Sequence, residues 1–523
     1  MKKGWVSVVL IVAGILTAFA VADQPAAATT STTSATTTPT TTTAPATSST
    51  AVATSAATDT SATAASKSGL ERFRDWFHNP TPWLEMGADL RMRYTYGWNI
   101  DTLNDDAPHH RSKYSWYQQR ARLSTKFKLN EDVDFNLKYT WEFRIWDAPE
   151  HGVKDRNADF DEIIWDQFNL VVRNFGGMPL TMTVGRQDIT LGAGWLVADA
   201  TPLDAARTAY FDALRFTYEI RDKTTLDLIY TENRASEDAY LKPINSRHKE
   251  NTEQDERGVI LYLTDKTNPN MNVEGYFMYK NDNSVDTAFT TPPAGYSRLW
   301  SKSAEIYTIG GALSGDLFGS EHWKYRTEGA VQFGEKEGLN YPTGNARTGM
   351  HKLMAFGTNN KLEYCFNDPM KNRIRLTYEY RSGDKPGTGD IEAFDPLWGE
   401  YPQWGDLSIY MYIPETMIAE ITNVHKLGVG HSIQLTKEWE LNTDLYGLFA
   451  DENTRKGYTN ANGTSYSQSG HYRGTLAVMM LKYAMSKNLT GHIEVDYFQP
   501  GSYYASGSRD SAMFFRANMD YKF

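Results

Sequence analysis

Met513-Phe514-Phe515-Arg516-Ala517-Asn518-Met519-Asp520-Tyr521-Lys522-Phe523 decides the fold. Met513, Phe515, Ala517, Met519, Tyr521 and Phe523 fall on one face, and Phe514, Arg516, Asn518, Asp520 and Lys522 on the other. A period of two is that of a strand lying between two different environments. In a soluble sandwich the apolar row would be the core. Here the pattern recurs from about residue 84 to Phe523, with Arg, Lys, Glu and Asp on one row and large aromatics and leucines on the opposite row. That distribution suits strands between lipid and a wet lumen.

Working outward from this stretch, eighteen segments can be read. They begin with 84–96, 116–129 and 133–146, pass through 425–439 and 442–451, and end with 470–483, 488–499 and 510–523. The links at 130–132, 220–223, 265–269 and 440–441 are short, whereas those at 97–115, 188–206, 281–302 and 383–424 are long. Strict alternation of short and long links predicts an all-β transmembrane outer-membrane β-barrel of about 18 antiparallel strands, with tight periplasmic turns, long extracellular loops and both barrel ends in the periplasm. Eighteen strands enclose an aqueous channel unless a loop or plug fills it. Propellers and solenoids also alternate, but they do not explain a charged inner face, a final aromatic and two classes of loop.

Composition is consistent with this reading. A mean hydropathy of −0.54 does not argue against a membrane location, because only every second strand residue must face lipid. Thirty-one Tyr, fourteen Trp and twenty-three Phe supply aromatic girdles at the two interfaces. A formal net charge of −11 argues against nucleic acid as a partner. With Cys365 the single cysteine, no intrachain disulfide forms, and a closed hydrogen-bond ladder must hold the framework.

Ahead of the barrel, Lys2 and Lys3 precede an apolar run from Val6 to Ala20, and Ala20-Val21-Ala22 offers a small-residue cleavage site. Residues 1–22 therefore read as a secretory signal peptide; the run is short for a retained anchor. Residues 23–66 are almost entirely Ala, Thr, Ser and Pro, too poor in large apolar groups to offset ordering entropy, and are expected to be a disordered tether that offers a periplasmic partner a point of attachment. A glycosylated stalk is the alternative. Over 67–82 the spacing of Leu70, Phe73, Trp76 and Phe77 predicts a short amphipathic helix ended by Asn79-Pro80. Packing on the barrel rim is its expected use; closing the periplasmic mouth or lying against the membrane are the others. The barrel itself is expected over 83–523.

The polar rows hold the candidate lumen residues. Arg91 and Arg93 share a parity with Glu85 and Asp89; Arg120 and Arg122 with Gln118, Lys126 and Lys128; Glu142 and Arg144 with Asp134 and Lys138. Later strands add Arg215 and Glu219, then Arg326 and Glu328 beside Lys324, then Arg373 and Arg375 with Glu379 and Arg381. Opposite charges in such ladders cross-link the wall, while unpaired Arg or Lys creates a field that admits anions.

Several stretches resemble the bacterial alginate export family of outer-membrane barrels: Trp116-Tyr117-Gln118-Gln119-Arg120-Ala121-Arg122-Leu123, Leu180-Thr181-Met182-Thr183-Val184-Gly185-Arg186-Gln187, Arg207-Thr208-Ala209-Tyr210-Phe211-Asp212-Ala213-Leu214-Arg215, Arg381-Ser382-Gly383-Asp384 and Ala393-Phe394-Asp395-Pro396-Leu397-Trp398. Over residues 84–523 the resemblance implies an eighteen-stranded barrel that passes an anionic uronate polymer through an Arg-rich constriction shaped by infolded loops. It implies Arg120, Arg122, Arg186, Arg207 and Arg215 as lumen residues and 188–206 and 383–424 as gating loops. The tether and the interspersed carboxylates depart from a simple polymer exporter, and they leave open a general or differently selective channel.

The sequence thus predicts an outer-membrane channel for small solutes or an anionic polysaccharide such as alginate, with outer-membrane lipids as its surroundings. A non-conducting surface adhesion or structural protein is the alternative. No catalytic residue, metal ligand or cofactor is expected: Asp105, Asp106, His109 and His110 match no metal motif, Gly310-Gly311 lacks a phosphate-binding context, and no nucleophile motif stands out for a hydrolase.

Overall fold

The computed structural model describes residues 68–100, 102–106, 113–148, 158–199, 209–236, 239–245, 252–285, 302–338, 349–399, 404–416, 420–460 and 463–523. The expected signal peptide and tether lie outside the described residues, as do Arg207, His109 and His110. Helix α1 (Gly69–His78) comes first. Eighteen strands follow: β1 (Leu84–Trp98), β2 (Lys113–Lys128), β3 (Val133–Ala148), β4 (Ala158–Val172), β5 (Leu180–Gln187), β6 (Phe211–Arg221), β7 (Thr224–Asn233), β8 (Asp255–Asn268), β9 (Met271–Asn283), β10 (Ala304–Asp316), β11 (Trp323–Glu337), β12 (Met350–Cys365), β13 (Arg373–Arg381), β14 (Val424–Gln434), β15 (Trp439–Phe449), β16 (Tyr472–Ala484), β17 (Leu489–Pro500) and β18 (Ala512–Lys522). Each strand pairs antiparallel with its sequence neighbours, and β1 pairs with β18 from Asp89↔Lys522 to Trp98↔Met513. Closure gives each of these strands a neighbour on both sides, which a wall in contact with hydrocarbon requires.

Burial is inverted relative to a water-soluble protein. Leu90, Met92, Leu228, Ile309, Met354, Leu376, Leu427 and Leu445 are exposed, whereas Arg93, Thr95, Arg120, Glu142, Arg186, Glu256, Glu379 and Arg516 are buried. The two sets are the alternate rows read from the sequence, so the apolar row faces outward and the charged row inward. Aromatic contacts run along the short-turn end of the outer surface: Trp83 on Phe127 at 6.3 Å, Phe127 on Phe135 at 6.3 Å, Trp323 on Tyr364 at 4.8 Å and Trp439 on Tyr483 at 5.4 Å between ring centroids.

Strand β8 runs to Asn268, so the link expected at 265–269 is cut to 269–270, and a second turn also differs from the expectation. Between β14 and β15 it occupies 435–438, where the Thr436 hydroxyl accepts from the backbone N–H groups of Glu438 and Trp439; the expected link at 440–441 instead lies within β15. A Thr hydroxyl that supplies the turn's hydrogen bonds carries no Gly or Pro signal.

Two long loops enter the barrel. In the 188–210 loop Ile189, Leu191, Trp195, Leu196 and Val197 are buried with Phe211, Ile229, Ile260, Met278, Ile306 and Leu353 of the wall. In the 382–423 loop Ile391, Phe394, Leu397 and Trp398 join the same apolar cluster. The loops are joined to each other: Val197 bridges Trp398, Trp398 N–H donates to the Leu196 carbonyl at 3.0 Å, and Trp195 stacks on Phe394 at 5.4 Å. Farther along the second loop, helix α2 (Leu407–Thr416) buries Leu407, Ile409, Met411 and Tyr412 against Leu448, Leu476, Phe498 and Phe514 on the opposite wall.

Candidate functional site: the lumen constriction

Glycines on the inward row make room for the infolded loops. A Cβ on Gly258 would lie 2.4 Å from the Trp398 ring, and one on Gly357 would lie 2.9 Å from the Phe394 ring. Asp395, between these two aromatics, is clamped to β11: Lys336 Nζ donates to it at 2.6 Å, and the Gln332 side chain donates to its carbonyl at 2.7 Å and accepts from its N–H at 2.8 Å. Burial opposes ionisation of Asp395, but Lys336 and Lys280 outweigh it and hold the carboxyl below the usual range. Lys280 also donates to the Leu397 carbonyl at 3.2 Å and pairs with Glu256 at 2.9 Å.

Helix α2 is fixed at both ends by charge. At its N-terminus Leu407 N–H donates to Asp496 at 2.9 Å, Asp406 N–H donates to Glu494 at 3.1 Å, and Arg516 pairs with Asp406. Carboxylates suit the positive end of the helix dipole. At the C-terminal end Glu415 pairs with Arg473 and accepts from the Tyr503 hydroxyl at 2.9 Å. Burial disfavours the Glu415 carboxylate, yet Arg473 holds its carboxyl below the usual range. An ion pair as deeply buried as this one is strongly destabilising to break from one side.

Between the two loops a cavity of about 200 Å³ remains, lined by Arg326, Lys361, Arg381, Lys426, Glu379, Asn359, Thr377, Ala193, Gly194, Trp195, Trp404 and Tyr446. Four cations thus face it with one carboxylate. Glu379 is held by Arg381 Nε at 3.0 Å, Lys426 Nζ at 2.9 Å and Trp195 Nε1–H at 3.1 Å. Lys426 lies 5.0 Å from the centre of the Trp404 ring, and Arg381 lies 5.6 Å from that of Trp195. A ring face attracts a cation held near it, and more strongly where water is excluded. On the β11 side Arg326 bonds Glu274 at 2.7 and 3.1 Å and Glu328 at 2.8 Å.

Of the arginines named in the sequence, Arg326 and Arg381 line this cavity. Arg91 and Arg120 face each other across β1 and β2, as the shared parity implies. Carboxylates then intervene: Asp520 takes Arg91 at 2.7 Å, while Asp89 takes Arg120 at 2.8 Å and Arg122 at 2.7 Å. Arg93 donates to Asn518 at 2.7 Å. Glu142 is buried opposite Arg120, and Arg144 lies 5.3 Å from the Trp116 ring. Arg186 forks onto Asp212 at 2.8 and 2.9 Å with its guanidinium 3.6 Å from the Tyr210 ring, Arg215 bonds Asp227 at 2.8 Å, Arg375 pairs with Asp444, and Arg373 reaches Glu440 at 3.5 Å. Glu328 meets Arg326, whereas Glu219 is exposed at the short-turn end of β6. Lys361, Lys426, Trp195, Trp404 and Tyr446 were not singled out. Parity points Lys426 inward from β14, and for the loop aromatics Trp195 and Trp404 the available signal is the apolar content of the long loops.

Comparison with known proteins agrees with this architecture. A family model described as Alginate export matches residues 82–517. A search of curated proteins finds no match to the chain. Among solved structures, Acinetobacter baumannii OccAB1 is similar at a TM-score of 0.53 and 10% identity over 86% of this chain and 97% of that one. Pseudomonas aeruginosa OpdQ is similar at 0.50 and 11% over 84% and 97%. At these identities the likeness concerns the fold. With the family model matched over nearly the whole barrel, the chain belongs to the alginate export family and is an outer-membrane β-barrel channel for solute or polysaccharide passage.

Proposed function

We propose that the channel selects carboxylated cargo, from small organic anions to an anionic polysaccharide such as alginate, by passive passage through the cavity between the two infolded loops. The observation that carries this reading is the lining: Arg326, Lys361, Arg381 and Lys426 with one lining carboxylate, Glu379, while Glu274 and Glu328 hold Arg326 and Glu363 holds Lys361 from outside the lining. Guanidinium groups suit carboxylates because their donor fork matches two oxygens and stays charged at neutral pH. Trp195, Trp404 and Tyr446 beside these cations offer flat apolar faces to a sugar ring. Contacts spread over several groups let a cargo leave as well as enter. Selection of this kind requires no covalent step.

Reversal potential across a salt gradient in a planar bilayer tests the proposal. The parent is expected to prefer anions, and Lys361→Glu to move the potential toward cations, since Lys361 is the most exposed of the four lining cations. Arg122→Glu, outside the cavity, is expected to move it less. A cation-selective parent overturns the proposal. Block of the current by soluble uronate oligomers and not by neutral ones then assigns the polymer. A well-folded barrel that passes no current favours the adhesive or structural alternative.

A further inference from the structure

We propose that α1 is a membrane-interface anchor, its apolar face seated among the phospholipids of the leaflet at the short-turn, periplasmic end of the barrel. The helix has a capping box, with Glu71 N–H donating to the Ser68 hydroxyl at 3.2 Å and Ser68 N–H to the Glu71 carboxylate at 2.7 Å. Reciprocal capping makes so short a helix definite in extent.

Its position is set by contacts with the outward row of β18, the turn before β17 and the backbone of β1. Phe73 and Phe77 lie 5.7 and 5.1 Å from the Phe523 ring, Arg74 donates to Asn488 at 2.8 Å and to the Tyr521 hydroxyl at 3.3 Å, and the His78 ring bonds the Met86 carbonyl at 2.8 Å. The helix therefore rests on the outside of the wall at its rim and does not cross the mouth.

These contacts use one edge of the helix and leave much of the apolar arc open. Leu70 is 56% exposed, Phe73 49% and Trp76 58%, with Trp83 at 53% just beyond. Glu71, Arg72 and Asp75 occupy the opposite arc and are exposed too. A helix with bulky apolar residues on one arc and charges on the other lies in the headgroup region with its apolar arc toward the acyl chains. The occupant is lipid because the open arc continues an interface that already faces lipid: Phe523, which it touches, belongs to the outward row of β18, and Trp83 stacks on Phe127 in the aromatic girdle. Tryptophan is favoured at that depth.

The full chain in a Cys365→Ser background, refolded into phosphatidylethanolamine and phosphatidylglycerol vesicles, tests the proposal. Spin labels are placed singly through Leu70→Cys, Trp76→Cys, Glu71→Cys and Asp75→Cys, with Met92→Cys as the lipid-facing reference. Collision with oxygen and with a neutral nickel chelate is then measured. The oxygen-to-nickel ratio is expected to be several-fold higher at 70 and 76 than at 71 and 75, and to approach that at 92. Equal nickel access at all four helix positions places the arc in water and overturns the proposal. Labels at 70 and 76 shielded from both reagents mean that protein covers the arc, and overturn it as well. If a labelled variant does not fold, quenching of tryptophan emission by lipid brominated near the headgroup is compared between the parent and Trp76→Phe. Loss of a quenched component supports the anchor, and unchanged quenching rejects it.

Discussion

At the scale of single residues, Glu253 shows what enclosure under the loops does to a carboxyl group. It is buried just before β8, and its Oε2 has no hydrogen-bond partner among the described residues. Burial, and then the neighbouring charge of Glu256, push its pKa up to about 7. Because this pKa is raised from 4.5, the folded barrel keeps a proton that the unfolded chain has released between those two pH values. Stability is therefore greatest below the lower value and declines as pH rises to the upper one, by on the order of 3 kcal/mol from this group. Glu253→Gln is expected to flatten that decline, and urea unfolding of the vesicle-inserted protein at pH 4.5 to 8 checks it. A slope unchanged from the parent would show that Glu253 does not titrate in this window. Which charges face inward was legible from parity alone; which carboxylate meets which arginine was not. A slip of two residues keeps every face and changes every partner, so Asp89 and Asp520 could not be matched to Arg91, Arg120 and Arg122 from one strand at a time.

At the scale of elements, the inward glycines are seats for the loops. Gly258→Leu is expected to displace Trp398 and with it the 391–399 segment, widening the lumen and raising single-channel conductance. Gly275→Ala, where an added Cβ meets nothing within 4 Å, is expected to leave the conductance at the parent value. Equal conductance in a well-folded Gly258→Leu barrel would show that Trp398 does not narrow the path. The strands were readable because one side of each must be apolar and the other charged. Helix α2 was not: it is enclosed on several sides, with Leu407, Ser408, Ile409, Met411 and Tyr412 all buried, and so has no polar stripe to reveal its period. The long loops were readable as long; their apolar content, Trp195, Phe394 and Trp398 above all, was the overlooked sign that they had a core to join.

At the scale of the whole molecule, orientation is open to a direct measurement. Glu131, in the 129–132 turn, and Lys456, in the 450–471 loop, are both exposed and at opposite ends of the barrel. In intact cells carrying Cys365→Ser, an impermeant maleimide is expected to label Lys456→Cys and spare Glu131→Cys; the reverse would invert the barrel. Architecture was the most legible property, because alternation recurs in eighteen strands and loop length in the seventeen links between them, whereas the constriction depends on contacts between segments as distant as Trp195 and Glu379. The anchoring of α2 bears on the order in which the barrel is completed. Glu494 and Asp496 stand on β17 and Arg516 on β18, so the helix must wait for the last hairpin of the chain before its leading end has anything to hold. The 391–398 segment has its seat on β8, β11 and β12, whereas the leading end of α2 gains its carboxylates and its arginine only with the final hairpin, so that hairpin both seals the seam against β1 and completes the hold on the helix.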